Sequence, residues 1–159
     1  MINVFLLLGS NLGNRELQLK KAIIGIEKQI STIIKSSSIY ETAAWGKTDT
    51  PSYLNQVILL QTALPANIVL EKILNIELDL GRVREEKWGS RIIDIDILFY
   101  GDMIIKEQNL QIPHPELHNR RFTIEPLAEI APDWIHPVLN KSILTIKNEL
   151  VDTLDVKKL

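Results

Sequence analysis

The chain has no cysteine. That removes thiol nucleophiles, thiolate zinc sites, redox switches and disulfide scaffolds together. Aromatic residues are scarce at 6%, and charge of one sign is lacking too, with Lys and Arg at 18 against Asp and Glu at 20. A net charge of −2 fits neither a globally basic nucleic-acid footprint nor a basic membrane surface, although a local basic patch is left open. No apolar run approaches the ~18 residues of a membrane helix. The run from Ile2 to Leu8 is interrupted by Asn3, has no basic stretch ahead of it and ends at Gly9-Ser10-Asn11, so it does not read as a secretory leader. Neither nucleic acid nor membrane is expected as a partner, and the cytoplasm is the expected compartment. No repeat, low-complexity tract or linker divides the 159 residues, so 1–159 reads as one domain. A chain of that length buries roughly 68–70% of its unfolded surface and needs no staple.

What is present is a clear alternation of periods. Val4 to Leu8 reads as a buried strand. After the turn cluster Gly9-Ser10-Asn11-Leu12-Gly13, Asn14 is placed to cap a helix over Arg15 to Ile30, whose apolar stripe is Leu19, Ala22, Ile23, Ile26 and Ile30. Ile33 to Tyr40 reads as a second strand, Glu41 to Ser52 as a loop long enough to suspect a function, and Tyr53 to Thr62 as a third strand. Pro65 opens a second helix with core stripe Val69, Ile73, Ile76 and Leu80, stopped by Gly81. Arg82 to Ser90 is a polar, charged loop, and Ile92 to Tyr100 a fourth strand. Tyr100-Gly101-Asp102 then turns into a hairpin strand, Met103 to Ile105. Ile112 to His118, with Pro113 and Pro115, is extended and irregular, and Arg120 to Ile130 and Ser142 to Val151 read as short helices. The order predicts an α+β, ferredoxin-like βαββαβ core with an extra hairpin strand: an antiparallel-rich sheet with helices on one face and C-terminal helices covering more of the sheet or its edge.

The sharpest chemical feature is Asp94-Ile95-Asp96. Strand alternation puts both carboxylates on one face, roughly 6–7 Å apart at Cα, while Ile93, Ile95 and Ile97 fill the core. Paired carboxylates repel and lose hydration, and a hard cation such as Mg²⁺ relieves both costs. A solvated polar face is the alternative. Just upstream, Arg82, Arg84, Lys87 and Arg91 cluster around Trp88 and Gly89-Ser90. Cations beside an acidic pair complement a polyphosphate, although Glu85 and Glu86 also suit an ordinary solvated charge run. Tyr53 and Asn55 share a strand face, and an amide there can pair with a heterocycle edge. Gly9 to Gly13 lacks the spacing of a phosphate-binding loop and reads as turn structure. His114, His118 and His136 have no paired metal spacing; His114 is the one that falls near the suspected site.

Taken together, Lys87-Trp88-Gly89-Ser90-Arg91-Ile92-Ile93-Asp94-Ile95-Asp96-Ile97-Leu98 resembles the signature of the 6-hydroxymethyl-7,8-dihydropterin pyrophosphokinases. Supporting matches run from Gly9-Ser10-Asn11 through Tyr40-Glu41-Thr42, Tyr53-Leu54-Asn55, Gly81-Arg82-Val83-Arg84 and Pro113-His114-Pro115 to Asn119-Arg120, Phe122 and Glu129-Ile130-Ala131-Pro132. The resemblance implies transfer of pyrophosphate from ATP to the pterin's hydroxymethyl group, with AMP leaving, in folate biosynthesis. It implies two Mg²⁺ ions on Asp94 and Asp96, with Arg82 and Arg91 catalytic beside them. It puts Thr42, Ala43, Trp45, Tyr53, Asn55, Trp88 and Phe122 around the pterin. Leu74, Glu77, Arg84, Trp88, Arg91, Ile97, Gln111, His114 and Arg120 fall around ATP. A monomer acting on these two small molecules is expected. The chain departs from some members at Leu74, Glu85, Asn109 and Gln111, which bears on nucleotide contacts. Two other classes share parts of this pattern: an RNA-binding module on a ferredoxin-like sheet, and another paired-Asp nucleotidyl or glycosyl transferase.

Overall fold

Apolar residues on both sides of one strand decide the layering. The computed structural model describes residues 1–42, 52–81 and 92–159, and in it β1 (Ile2–Ser10) is buried along most of its length. The remaining elements in chain order are α1 (Arg15–Gln29), β2 (Ile33–Ser36), β3 (Tyr40–Thr42), β4 (Tyr53–Thr62), α2 (Ala66–Asp79), β5 (Asp94–Tyr100), β6 (Ile105–Lys106), β7 (Gln111–Ile112), α3 (Arg121–Ile130), α4 (Ile143–Glu149) and β8 (Val156–Lys158). A single 3₁₀ turn, Leu117–Asn119, precedes α3.

The main sheet runs β5-β1-β4-β3-β8, with β2 also paired to β4, and every pairing is antiparallel. Its centre is the expected split-βαβ order. Val4, Leu6 and Leu8 point to one face, where Leu19 and Ile26 of α1 and Val69, Ile73 and Ile76 of α2 close an aliphatic core. Phe5 and Leu7 point to the other face, against Leu117, Ile124 and Leu127, with Ile143 and Ile146 of α4. Helices therefore cover both faces: α1 and α2 form the layer the sequence predicts, and the C-terminal helices expected to cover more of the sheet or its edge take the other face. Alternating apolar residues on each side of β1 leave neither face suited to water.

Local expectations fare unevenly. Asn14 caps α1, its side chain accepting from the Leu17 amide at 3.1 Å. Gly81 follows α2 at φ 93°, the left-handed stop only glycine adopts without strain. The strand expected over Ile33 to Tyr40 is two strands, β2 and β3, and the ladder breaks down at Ser37: its amide still bonds the Val57 carbonyl at 2.8 Å, but its hydroxyl takes the Val57 amide at 2.9 Å and its carbonyl takes the Gln56 side chain. The hairpin expected at Met103 to Ile105 does not pair with β5. The Gly101 amide instead bonds back to Asn3 of β1, and β6 pairs with β7 in a separate two-stranded sheet. Residues 112–118 are not wholly irregular, since β7 and the 3₁₀ turn bracket them. The helix expected over Ser142 to Val151 begins after its cap at Ser142 and stops at Glu149, and β8 beyond it is a strand the periodicity does not announce.

Candidate active site

Register sets the site. Tyr40 of β3 lies opposite Asn55 of β4, Asn55 opposite Gly9 of β1, and Gly9 opposite Asp94 of β5. The next row aligns Val57, Leu7 and Asp96. Directly opposed residues stand ~5 Å apart, so Asn55 and Asp94 flank Gly9 on one face. Gly9 is needed for that row: a Cβ there would lie 2.9 Å from Asn55 Oδ1. The reading of Gly9 as turn structure alone therefore misses its place under the site.

This face holds a cavity of about 690 Å³. Leu7 and Gly9 form the floor, with Asp94 and Asp96 on one side and Thr42, Tyr53 and Asn55 on the other. The start of α3 closes over it through Asn119, Arg120 and Phe122. Val151, Asp152 and Leu154 complete the wall from the segment after α4. Period-2 alternation brings Tyr53 and Asn55 together and Asp94 and Asp96 together, as read from the sequence.

The polar groups are unevenly satisfied. Thr42 is 3% exposed, and its hydroxyl has no hydrogen-bond partner among the described residues. A ligand group reaching it would supply one. The Arg120 guanidinium sits 5.7 Å from the centre of the Phe122 ring, a cation–π pair at the cavity rim. His114 lies close enough to feel both Asp96 and Arg120. Burial, reinforced by Arg120, lowers its pKa from the usual value against the opposing pull of Asp96 and Glu116. Its Nδ1 accepts from the Glu116 amide at 3.2 Å, so the neutral ring carries its proton on Nε2.

Among the described residues, two anchors fix β5 along the edge that no other main-sheet strand covers. Glu77, 3% exposed on α2, accepts from the Ile95 amide at 2.8 Å. The His114 amide bonds to the Leu98 carbonyl at 3.1 Å. Since the Ile95 amide points to that edge, the Ile97 amide, two residues on, points there too. The Ile97 side chain is in the aliphatic core, so the main chain is what this residue offers to a ligand. A bulge skips Leu98, turning both Leu98 and Phe99 into the α3 side.

Asp94 and Asp96 are hard oxygen donors on a cavity wall, and no group of three His, Cys, Asp or Glu suited to a metal occurs among the described residues. A closed four-ligand zinc site is therefore not formed by them. Two carboxylates with room for water and phosphate oxygens fit Mg²⁺, which takes few protein ligands.

Of the residues singled out from the sequence, Asp94, Asp96, Thr42, Tyr53, Asn55, Arg120 and Phe122 share this cavity. Gln111 and His114 line a neighbouring cavity of about 300 Å³. Leu74 is 40% exposed on α2, and Glu77 is buried and lines neither cavity. Ala43, Trp45, Arg82, Arg84, Trp88 and Arg91 lie outside the described residues. Leu7, Val151, Asp152 and Leu154 are not among the expected residues, and Asn119 enters the sequence reading only as part of the motif. Leu7 carries no polar signal, and Val151, Asp152 and Leu154 depend on a chain path that periodicity does not trace.

Comparison with known proteins bears on the same residues. Residues 5–132 match the family model described as 7,8-dihydro-6-hydroxymethylpterin-pyrophosphokinase. The 2-amino-4-hydroxy-6-hydroxymethyldihydropteridine pyrophosphokinase of Aquifex aeolicus is 42% identical over 149 residues, covering 94% of this chain and 92% of that protein. The enzyme of the same name from Haemophilus influenzae is 41% identical over 146 residues, covering 91% and 90%. Among solved structures, wild-type Plasmodium falciparum HPPK-DHPS with SDX-DHP superposes with a TM-score of 0.77 at 22% identity, which speaks to fold. That match covers 94% of this chain and 43% of the other, so this chain spans less than half of that longer protein.

Proposed function

The chain belongs to the 7,8-dihydro-6-hydroxymethylpterin-pyrophosphokinase family, and from that premise we propose that it transfers the β,γ-pyrophosphoryl group of ATP to the hydroxymethyl oxygen of 6-hydroxymethyl-7,8-dihydropterin in folate biosynthesis. The alcohol oxygen forms a bond to the β-phosphorus. The bond from that phosphorus to the α,β-bridging oxygen breaks, and AMP leaves with the oxygen. The alcohol proton passes to solvent or a phosphate oxygen.

The observation that carries this reading is that one sheet face presents an amide and an orphaned hydroxyl, Asn55 and Thr42, about two strands from a carboxylate pair. The amide and hydroxyl suit the polar edge of a pterin, and the Phe122 ring suits its face. Asp94 and Asp96 would hold two Mg²⁺ ions, whose chemistry when bound is to neutralise phosphate charge and acidify the attacking alcohol. Arg120 adds a fixed positive charge at the rim, and neutral His114 offers its Nε2–H to an acceptor such as a nucleotide oxygen. The Ile97 main chain serves the adenine side, and Glu77 supports it by fixing β5. Gln111 and Leu74 border the nucleotide. Arg82 and Arg91 act on the transferring group, Arg84 and Trp88 on ATP, and Trp88, Trp45, Ala43 and Tyr53 on the pterin side.

Catalysis on this reading is positioning plus charge neutralisation, without a covalent intermediate. Holding two substrates in line supplies about 7–11 kcal/mol of barrier reduction. An RNA-binding role is disfavoured, because the sheet face carries two aspartates where such modules display stacking aromatics. The test is AMP release from ATP and Mg²⁺ with and without the pterin alcohol. Pterin-dependent AMP is expected; its absence overturns the reading.

A further inference from the structure

α3 begins without a cap of its own. Arg120, the flanking residue, is extended and places no side-chain acceptor on the first helical amides, which have no partner within a helix. Asp152 supplies that acceptor from 31 residues away: its Oδ2 takes the Arg121 amide at 3.0 Å. Its main-chain oxygen accepts from Arg121 Nε, also at 3.0 Å, and its Oδ1 takes the Leu154 amide at 2.9 Å. One residue thus ties the helix start to the segment after α4 and folds that segment into a turn.

Both sides of this tie face the same cavity. Arg120 and Phe122 flank Arg121 in sequence, and Asp152 and Leu154 line the same cavity beside them. Farther along, Val156 pairs with Thr42 at the sheet edge, so the wall is held at its other end as well. None of these later residues falls within the stretch 5–132 that matches the family model. The Asp152 carboxyl is ionised at neutral pH. Burial opposes this, but the Arg121 and Leu154 amides and the Arg121 charge outweigh it and hold its pKa below the usual value.

We propose that Asp152 is a positioning residue for the heterocycle end of the site, capping α3 so that Phe122 and Arg120 are set before substrate arrives, and that Leu154 is an apolar wall for the bound ring. The identity of that ring rests on the function proposed above. Without the cap the first turn of α3 frays, and binding must re-order it, which weakens affinity without touching the reacting atoms.

Three variants of the full chain test this: Asp152→Ala, Asp152→Asn and Leu154→Ala. Each is read by AMP-release kinetics, by pterin titration followed through the ring's own fluorescence, by melting temperature and by hydrogen exchange at residues 121–124. Asp152→Ala is expected to raise the pterin KM about tenfold, to leave kcat within about threefold and to speed exchange of the Arg121 amide. Asp152→Asn keeps an acceptor oxygen and should restore most of both losses. Leu154→Ala should raise the pterin KM several-fold with exchange unchanged. A folded Asp152→Ala with wild-type pterin affinity overturns the proposal. So does a loss in which kcat and melting temperature fall while both KM values rise, and asparagine gives no rescue. If the wild-type chain releases no pterin-dependent AMP, the activity reading fails instead; a functional wild type with an indifferent Asp152→Ala sinks the positioning role alone.

Discussion

The two faces of the main sheet are built from the same strands and do different work. On the α1/α2 face, Val4, Leu6, Leu8, Ile58 and Leu60 pack into a core that is aliphatic except for Tyr100, beneath α1 and α2. On the α3/α4 face the packing begins the same way. Phe5 and Phe99 meet edge-on at 6.0 Å, and Trp134 stands over Phe5 at 4.9 Å. Where α3 starts, that packing gives out, and the last rows of the sheet carry Asn55, Gly9, Asp94 and Asp96 into the cavity. A face that a helix covers completely stores stability. A face that a helix covers partly has room for chemistry, and its polar side chains carry less of the fold.

Changes on the two faces should therefore separate activity from stability. The largest effect expected is from Asp96→Ala: turnover at saturating substrates falls by about 10³-fold, equivalent to ~4 kcal/mol of barrier, while the urea midpoint stays near wild type. Near-normal turnover would remove the metal assignment. On the closed face, Ile73→Ala leaves a cavity and should cost roughly 3 kcal/mol of stability, with both KM values unchanged in protein that remains folded. A shift in either KM would break the division between the faces.

The aromatic part of the α3/α4 face carries a pH dependence. His136 is buried, its Nδ1 accepting from the Val138 and Leu139 amides, and burial with the adjacent His118 lowers its pKa from 6.5 to about 4. The unfolded chain takes up that proton first, so stability is lost as pH falls from about 6.5 towards 4 and then levels off, a loss of roughly 3 kcal/mol. His114 shifts in the same direction and adds to it. Urea midpoints followed from pH 7 to 4.5 should show the slope, and His136→Asn, which keeps an acceptor for the loop amides, should flatten it. An unchanged slope would place the acid sensitivity elsewhere.

The smallest effect expected is at the boundary of floor and site. Gly9→Ala pushes on the end of the Asn55 side chain, so the pterin KM should rise about tenfold, for about 1.4 kcal/mol, with a melting shift of only a few degrees. A variant that loses several kcal/mol of stability instead would show Gly9 to be a folding constraint more than a feature of the site.

Much of the site was legible because it obeys strand alternation. Tyr53 with Asn55, and Asp94 with Asp96, share a face by period alone, and Arg120 and Phe122, which the resemblance assigns to the ATP and pterin sides, line the same cavity. What was not legible comes from long-range pairing. Ser37 interrupts a strand that local propensity continues, because its side chain has a use on Val57. The hairpin strand leaves β5 because the Gly101 amide finds Asn3. Asp152 looks like any polar residue near a helix end until its distance to Arg121 is known.

The sequence by itself determined the order of the central strands and helices, the helix boundaries at Asn14 and Gly81, and which residues pair on one strand face. These follow from local periodicity, turn residues and a long motif. Tertiary structure decided that the C-terminal helices take the second face rather than an edge, that Gly9 is floor as well as turn, and that a segment after α4 walls the cavity and caps α3. Each depends on which distant groups satisfy one another. A buried amide or carboxylate takes its partner from whatever the fold brings within about 3 Å, and that distance is not written in local sequence.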